Sequence, residues 1–167
     1  AVAKAIGEQY LPLSVTDALP STKLGKFIAL IDKLDSLIQF FSVGLIPTGS
    51  NDPYALRRQA IGVVRLLLDL DHTGVELDNF INDLFESVGM PKEREEELAS
   101  NKKALLSFLV DRLEQIMQSE YNIAHDVRKA ALGSTQHNLK WMLEVALELK
   151  EQTESEHFKE TVESTTR

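Results

Sequence analysis

Apolar residues recur along this chain with the period of a helix, and turn residues break the pattern into segments. Val2, Ala3, Ile6 and Tyr10 keep helical spacing until Pro12 ends the first segment. Residues 13–20 then read as a connection, and Ser21-Thr22 offers an N-cap. The next helix is predicted over about 23–43. Its stripe is Leu24, Phe27, Ile28, Ile31, Leu34, Ile38 and Phe41, widened by Leu30, Leu37 and Phe40. A stripe that wide needs cover on more than one face, which makes this a central helix. Gly44 is placed as its C′ residue, and Ile46-Pro-Thr-Gly-Ser-Asn-Asp-Pro53 is a sharp loop.

Beyond the loop, Asp52 is expected to cap a helix with Pro53 in its first turn and Leu56, Ala60, Val63, Val64, Leu67 and Leu68 on its apolar side. Asp69, Asp71 and His72 close it before a Thr73-Gly74 turn. A third long pattern runs from Leu77 to Val88 and stops at Gly89, with Pro91 beyond. The Glu-rich run 92–98 reads as a solvated turn of helix or an exposed link. Ser100-Asn101 is expected to cap a helix over 104–118. A shorter helix follows over 122–132, stopped by Gly133, and another over 137–150. After Glu151 only Phe158 and Val162 keep the spacing, as in a weak helix or frayed tail. No segment alternates with the period of a strand. The expected fold is an all-α helical bundle of about seven or eight helices, judged by the periodicity.

With 43% apolar content and no low-complexity stretch, the 167 residues belong with globular chains. No run is long and apolar enough to span a bilayer, and a signal-peptide pattern is lacking, so a soluble, cytoplasmic protein is expected. The absent initiator Met, with helical patterning from the first residue, suggests a piece of a longer polypeptide. The absence of cysteine excludes disulfides, thiolate metal sites and a Cys nucleophile. A net charge of −8 argues against bulk electrostatic binding of nucleic acid, so any such surface is a local patch.

Phosphate-binding glycine loops and a nucleophile elbow are missing. His72, His125, His137 and His157 are scattered, and His125-Asp126 reads as a solvated helix start rather than a metal dyad. No catalytic residue is assigned. Asp32 and Asp35 fall on or beside the apolar stripe of the central helix, so both are expected near buried surface. Ion pairing with Lys26, Lys33 or a neighbouring helix is the plain reading, and Asp32 is a weak metal-ligand candidate. Candidate phosphate contacts are Arg57, Arg58 and Arg65, with Lys102, Lys103, Arg128, Lys129 and Lys140 on later helices; Tyr54, Tyr121 and Trp141 are available to stack on bases. Ordinary surface charge is the competing reading.

The blocks Ala5-Ile-Gly-Glu-Gln-Tyr-Leu-Pro12, Ile31-Asp-Lys-Leu-Asp-Ser-Leu37, the Phe-Ser-Val-Gly turn at 41–44, Ile46-Pro-Thr-Gly-Ser50 and Asp52-Pro-Tyr-Ala-Leu-Arg-Arg58 resemble, in this order, the β subunit of bacterial α2β2 glycyl-tRNA synthetases. The resemblance implies that residues 1–50 end an HD-type helical domain whose His-Asp dyad lies upstream. Asp32 is similar to the last aspartate ligand of HD phosphohydrolases. Residues 51–167 are similar to a helical anticodon-binding domain named for an Asp-Ala-Leu-Arg run, here Tyr54-Ala-Leu-Arg57, and truncated at its end. The implied role is gripping tRNA-Gly, with the α subunit as partner. ATP and Mg2+ then serve the whole enzyme, and no cofactor is expected in this piece. Two other readings stand beside it: a residual HD-type metal phosphohydrolase using Asp32, and a helical interaction module without RNA contact.

Overall fold

The computed structural model describes residues 2–14, 16–49, 51–70, 77–87, 95–133 and 138–155. Among these, seven α-helices occur: α1 (Val2–Glu8), α2 (Lys23–Ser42), α3 (Leu56–Asp69), α4 (Leu77–Ser87), α5 (Glu95–Ser119), α6 (His125–Leu132) and α7 (Leu139–Glu154). No strand is present among the described residues, and the fold is the all-α bundle that the periodicity implies. None of the described helices is long and apolar enough to cross a membrane.

Helix α2 starts where its sequence says it should. The Thr22 hydroxyl accepts from the Gly25 N–H at 3.0 Å, and the chain leaves through Gly44 at φ +75°, a conformation a Cβ would strain. Around α2 pack α1, α3, α4 and α5. Leu30, Leu34, Leu37 and Phe41 meet Leu56, Ala60, Val63 and Val64 of α3 and Leu105, Leu109 and Leu113 of α5 in one hydrophobic cluster. The Phe41 and Phe108 rings lie 5.3 Å apart between centroids. This cluster runs without a break across position 50 and on to Met142, Leu143 and Ala146 of α7.

Several boundaries differ from expectation for physical reasons. Helix α3 begins at Leu56 rather than around Pro53, because Asp52 caps across a turn. Its carboxylate accepts from the Leu56 N–H at 2.7 Å and the Arg57 N–H at 3.0 Å, while Ala55 takes φ +55° to close the turn. Helix α5 has no break at Ser100-Asn101: Glu95–Ser100 is helical, and Asn101 is buried within the helix. Helix α6 begins at His125 and ends at Gly133 as its C-cap; α7 starts at Leu139 with Asn138 as cap, and continues to Glu154. The expected stops at Asp71–Gly74 and Gly89, together with His137, His157, Phe158 and Val162, lie outside the described residues.

The largest departure concerns α2. Leu24, Phe27 and Ile31 of the expected stripe are exposed, since the neighbours cover the face carrying Leu30, Leu34, Leu37 and Phe41. Asp32 and Asp35, expected near buried surface, are exposed for the same reason. The buried charge is Lys33, which is 5% exposed. Its ammonium donates to the Tyr10 carbonyl at 2.9 Å, and desolvation, partly offset by the nearby Asp32, lowers its pKa. The stem of Lys33 passes directly over Gly62 of α3, where a Cβ would come within 2.8 Å of its Cδ and Cε. A side chain at position 62 would displace the Lys33 stem at this crossing, which ties α1, α2 and α3 together.

Candidate nucleic-acid interface

Successive residues on a helix point about 100° apart, so an adjacent pair of basic residues cannot serve one surface equally. Three such pairs occur among the candidates, and each divides. In α3, Arg57 turns back on the loop before it: its guanidinium donates to the Gly49 carbonyl at 2.6 Å and reaches the Asn51 carbonyl at 3.5 Å. Arg58 is exposed and makes no ion pair among the described residues. It borders a cleft of about 360 Å3, together with Tyr10, Asp32, Ser36 and Gln59. In α5, the Lys102 ammonium lies 5.9 Å from the centre of the Phe85 ring, while Lys103 is exposed. In α6, Arg128 is buried and donates to the Ile123 carbonyl at 2.6 Å. Lys129 points outward but meets the Glu114 carboxylate at 3.2 Å, which also lies 3.6 Å from Arg128 Nε.

Arg65 has a structural position as well. Its guanidinium donates to the Asp17 carbonyl at 2.8 Å and the Ser14 carbonyl at 3.4 Å, with Glu120 at 3.9 Å, so it fastens the connection between α1 and α2 onto α3. Arg112, another basic residue of α5 available by sequence, is buried with its guanidinium 5.0 Å from the Phe108 ring centre. Desolvation lowers its pKa, opposed by the neighbouring Asp111. Lys140 is half-buried on α7, beside the exposed Trp141. Tyr54 is exposed on one side and stacks on Phe40 with the other, at 4.3 Å between centroids and 27° between planes. Tyr121 is half-buried, and its carbonyl accepts from Lys150 at 2.9 Å.

The candidates thus separate into cations that hold the chain to itself, Arg57, Arg65 and Arg128, and cations presented to solvent, of which Arg58 and Lys103 carry no neutralising carboxylate among the described residues. The inward set was legible in principle from position alone. Arg65 and Arg128 occur within apolar periodic segments, where long stems bury and charged heads seek carbonyls. Asp32 stands exposed on the cleft, and its expected partners are otherwise engaged, Lys26 with Asp69 and Lys33 with the Tyr10 carbonyl. No group of three or more His, Cys, Asp or Glu suited to a metal ion occurs among the described residues. His125 and Asp126 are exposed in the first turn of α6.

Residues 1–133 match the family described as the glycyl-tRNA synthetase beta subunit. The chain belongs to that family. It is 40% identical over 167 residues to the glycine–tRNA ligase beta subunit of Streptococcus mutans, covering all of this chain and 23% of that protein. Identity is 40% to the same subunit of Shouchella clausii, over 99% of this chain and 24% of the relative. It is 42% to that of Streptococcus gordonii, over 100% of this chain and 23% of the relative. The chain therefore spans about a quarter of the length of the curated relatives it matches.

Proposed function

We propose that this chain is a tRNA-gripping part of a glycine–tRNA ligase beta subunit, supporting ATP-dependent attachment of glycine to tRNA-Gly in the cytoplasm. The observation that carries the reading is the exposed, unneutralised Arg58 on a cleft that also carries an exposed tyrosine and polar groups, in a chain of this family. A guanidinium outside ion-pair contact with the Asp32 carboxylate of the same cleft is available to a phosphate, and Tyr10 offers a ring to an unpaired base. Lys103 supplies a second phosphate contact, and Lys129 and Lys140 contribute less, since Glu114 neutralises the first and burial restricts the second. Arg57, Arg65, Lys102 and Arg128 act as supports for the surface rather than as contacts.

In this reading residues 1–50 descend from an HD-type helical domain and residues 51–167 from an anticodon-binding one, fused through the shared core around α2. The α subunit, in an α2β2 tetramer, activates glycine with ATP and Mg2+, and the residues described here take no chemical step. The family match favours this over a residual phosphohydrolase, for which Asp32 would need ligand partners that the described residues do not supply. Binding of tRNA-Gly to the chain, titrated with salt beside a non-cognate tRNA, tests it. A shallow log–log slope with preference for tRNA-Gly supports a small basic patch plus base contacts. Absence of binding at low salt favours an interaction module without RNA contact.

A further inference from the structure

The cleft beside Arg58 holds two opposite charges that do not cancel. Arg58 of α3 and Asp32 of α2 are both exposed and both line this cleft of about 360 Å3, yet neither forms an ion pair among the described residues. Lys33 follows Asp32 in the chain, but its ammonium donates to the Tyr10 carbonyl at 2.9 Å, so it eases the Asp32 charge without occupying its oxygens. The same bond fixes the Tyr10 wall of the cleft against α2, where the Ser36 hydroxyl donates to the Asp32 carbonyl at 3.1 Å. Gln59 brings an amide from α3. The acid is thus held on a packed helix, in one cleft with a ring, an amide and a guanidinium.

A cleft for phosphate alone has no use for an acid, and a cleft for a cationic side chain has no use for an exposed arginine. A nucleotide complements both, through its phosphate and through a base edge that donates. A carboxylate only accepts, so it discriminates among bases by their donors. Guanine turns two adjacent donors, N1–H and the N2 amine, toward the two oxygens of one carboxylate. Adenine and cytosine set an amine beside a ring nitrogen that accepts, and uracil sets N3–H between two carbonyls, which a carboxylate repels.

We propose that the cleft reads an unpaired guanine, with Asp32 accepting from the N1–H and the N2 amine, Tyr10 stacking on the base and Arg58 holding an adjoining phosphate. The inference rests on the tRNA reading and deepens it, naming the base that the cleft selects. Charge then explains Arg58 and base chemistry explains Asp32, two residues that one phosphate cannot use together.

Single-stranded RNA pentamers UUXUU, with X as guanine, hypoxanthine, adenine, cytosine or uracil, test it by fluorescence anisotropy with this chain. Hypoxanthine keeps N1–H and lacks only the N2 amine. The guanine pentamer should bind about tenfold more tightly than the hypoxanthine one, and the uracil pentamer weakest of the five, as expected for a bidentate contact. Asp32→Asn, an isosteric change at an exposed position, should bring guanine and hypoxanthine within about twofold of each other, because Asn offers one accepting oxygen in place of two. Arg58→Gln should weaken all five alike and keep their order. Equal affinity for guanine and hypoxanthine, or a guanine preference that survives Asp32→Asn, overturns the proposal; if Arg58→Glu still weakens tRNA-Gly binding, the tRNA reading stands without it. Failure of every pentamer to bind overturns it too, and binding of tRNA-Gly then decides whether the tRNA reading falls with it. Displacement of the guanine pentamer by millimolar glycine, which carries both an ammonium and a carboxylate, assigns the two charges to an amino acid and overturns the proposal equally.

Discussion

Arg57-Arg58 on α3 and Arg128-Lys129 on α6 are the same pattern in sequence and are built the same way up to a point. In each pair the first residue turns inward and donates to a backbone carbonyl that ends a preceding segment, Gly49 in one case and Ile123 in the other. In each the second residue points to solvent. The difference lies in what waits there: Glu114 binds Lys129 and approaches Arg128, whereas Arg58 faces a cleft with no carboxylate in ion-pair contact. A count of Lys and Arg therefore overstates the charge that a ligand can use. In a chain of net charge −8, the usable positive surface is the small part that its own carboxylates leave alone.

The largest effect that tests this comparison is on stability. Arg128→Met should cost about 2–3 kcal/mol in urea unfolding, because the Ile123 carbonyl loses its charged donor inside the bundle. Lys129→Met should stay within about 0.5 kcal/mol, as expected for an exposed pair. Next comes the crossing beneath α1, where an inward cation is a lysine. Gly62→Ala should fail to deliver the gain of about 1 kcal/mol usual for this exchange inside a helix, because the methyl presses on the Lys33 stem, and should recover it in a Lys33→Ala background, where that stem is gone. Arg57→Met should cost about 1 kcal/mol by freeing the loop before α3, against no measurable change for Arg58→Met.

The smallest effect is a pH dependence. Burial lowers the Lys33 pKa, so the folded chain releases this proton at a lower pH than the unfolded chain. Between the folded and unfolded values the unfolded state binds more protons, and stability from this group rises with pH. Relative to Lys33→Met, the wild-type chain should gain stability as pH rises toward the ordinary lysine value, while below the folded value the difference stays constant. Denaturant midpoints of both proteins across alkaline pH measure it.

Helix existence was legible because periodicity and punctuation agreed: Thr22, Gly44 and Gly133 stand where caps and stops were expected, and α2 is central. What failed has a common cause. Periodicity says that a stripe is apolar, but not which neighbour covers it, so it groups Leu24, Phe27 and Ile31 with the core and draws Asp32 and Asp35 toward buried surface with them. Charge alone makes Lys33 a partner for those aspartates, but it follows Leu30 by three residues and precedes Leu37 by four, which places it on the buried face. Gly62 between the apolar residues Ile61 and Val63 of α3 is the available sign of a close crossing. The Glu-rich run before Ala99 hid the first turns of α5, since a solvated helix face and a link have the same composition. At the candidate interface the orientation within each adjacent pair is set by the loop just before the helix, through the Gly49 carbonyl for Arg57 and the Ile123 carbonyl for Arg128, and by where Glu114 falls, which periodicity does not report.

The most direct measurement is tRNA-Gly affinity for Arg58→Glu beside Lys129→Glu, each titrated with salt. Both changes place the same charge on exposed helix surface. Arg58→Glu should weaken binding roughly tenfold at low salt and reduce the log–log slope by about one unit, while Lys129→Glu should change affinity by less than about twofold. Equal losses for the two variants, or an unchanged affinity for Arg58→Glu, would contradict the assignment of the open cleft as the gripping surface.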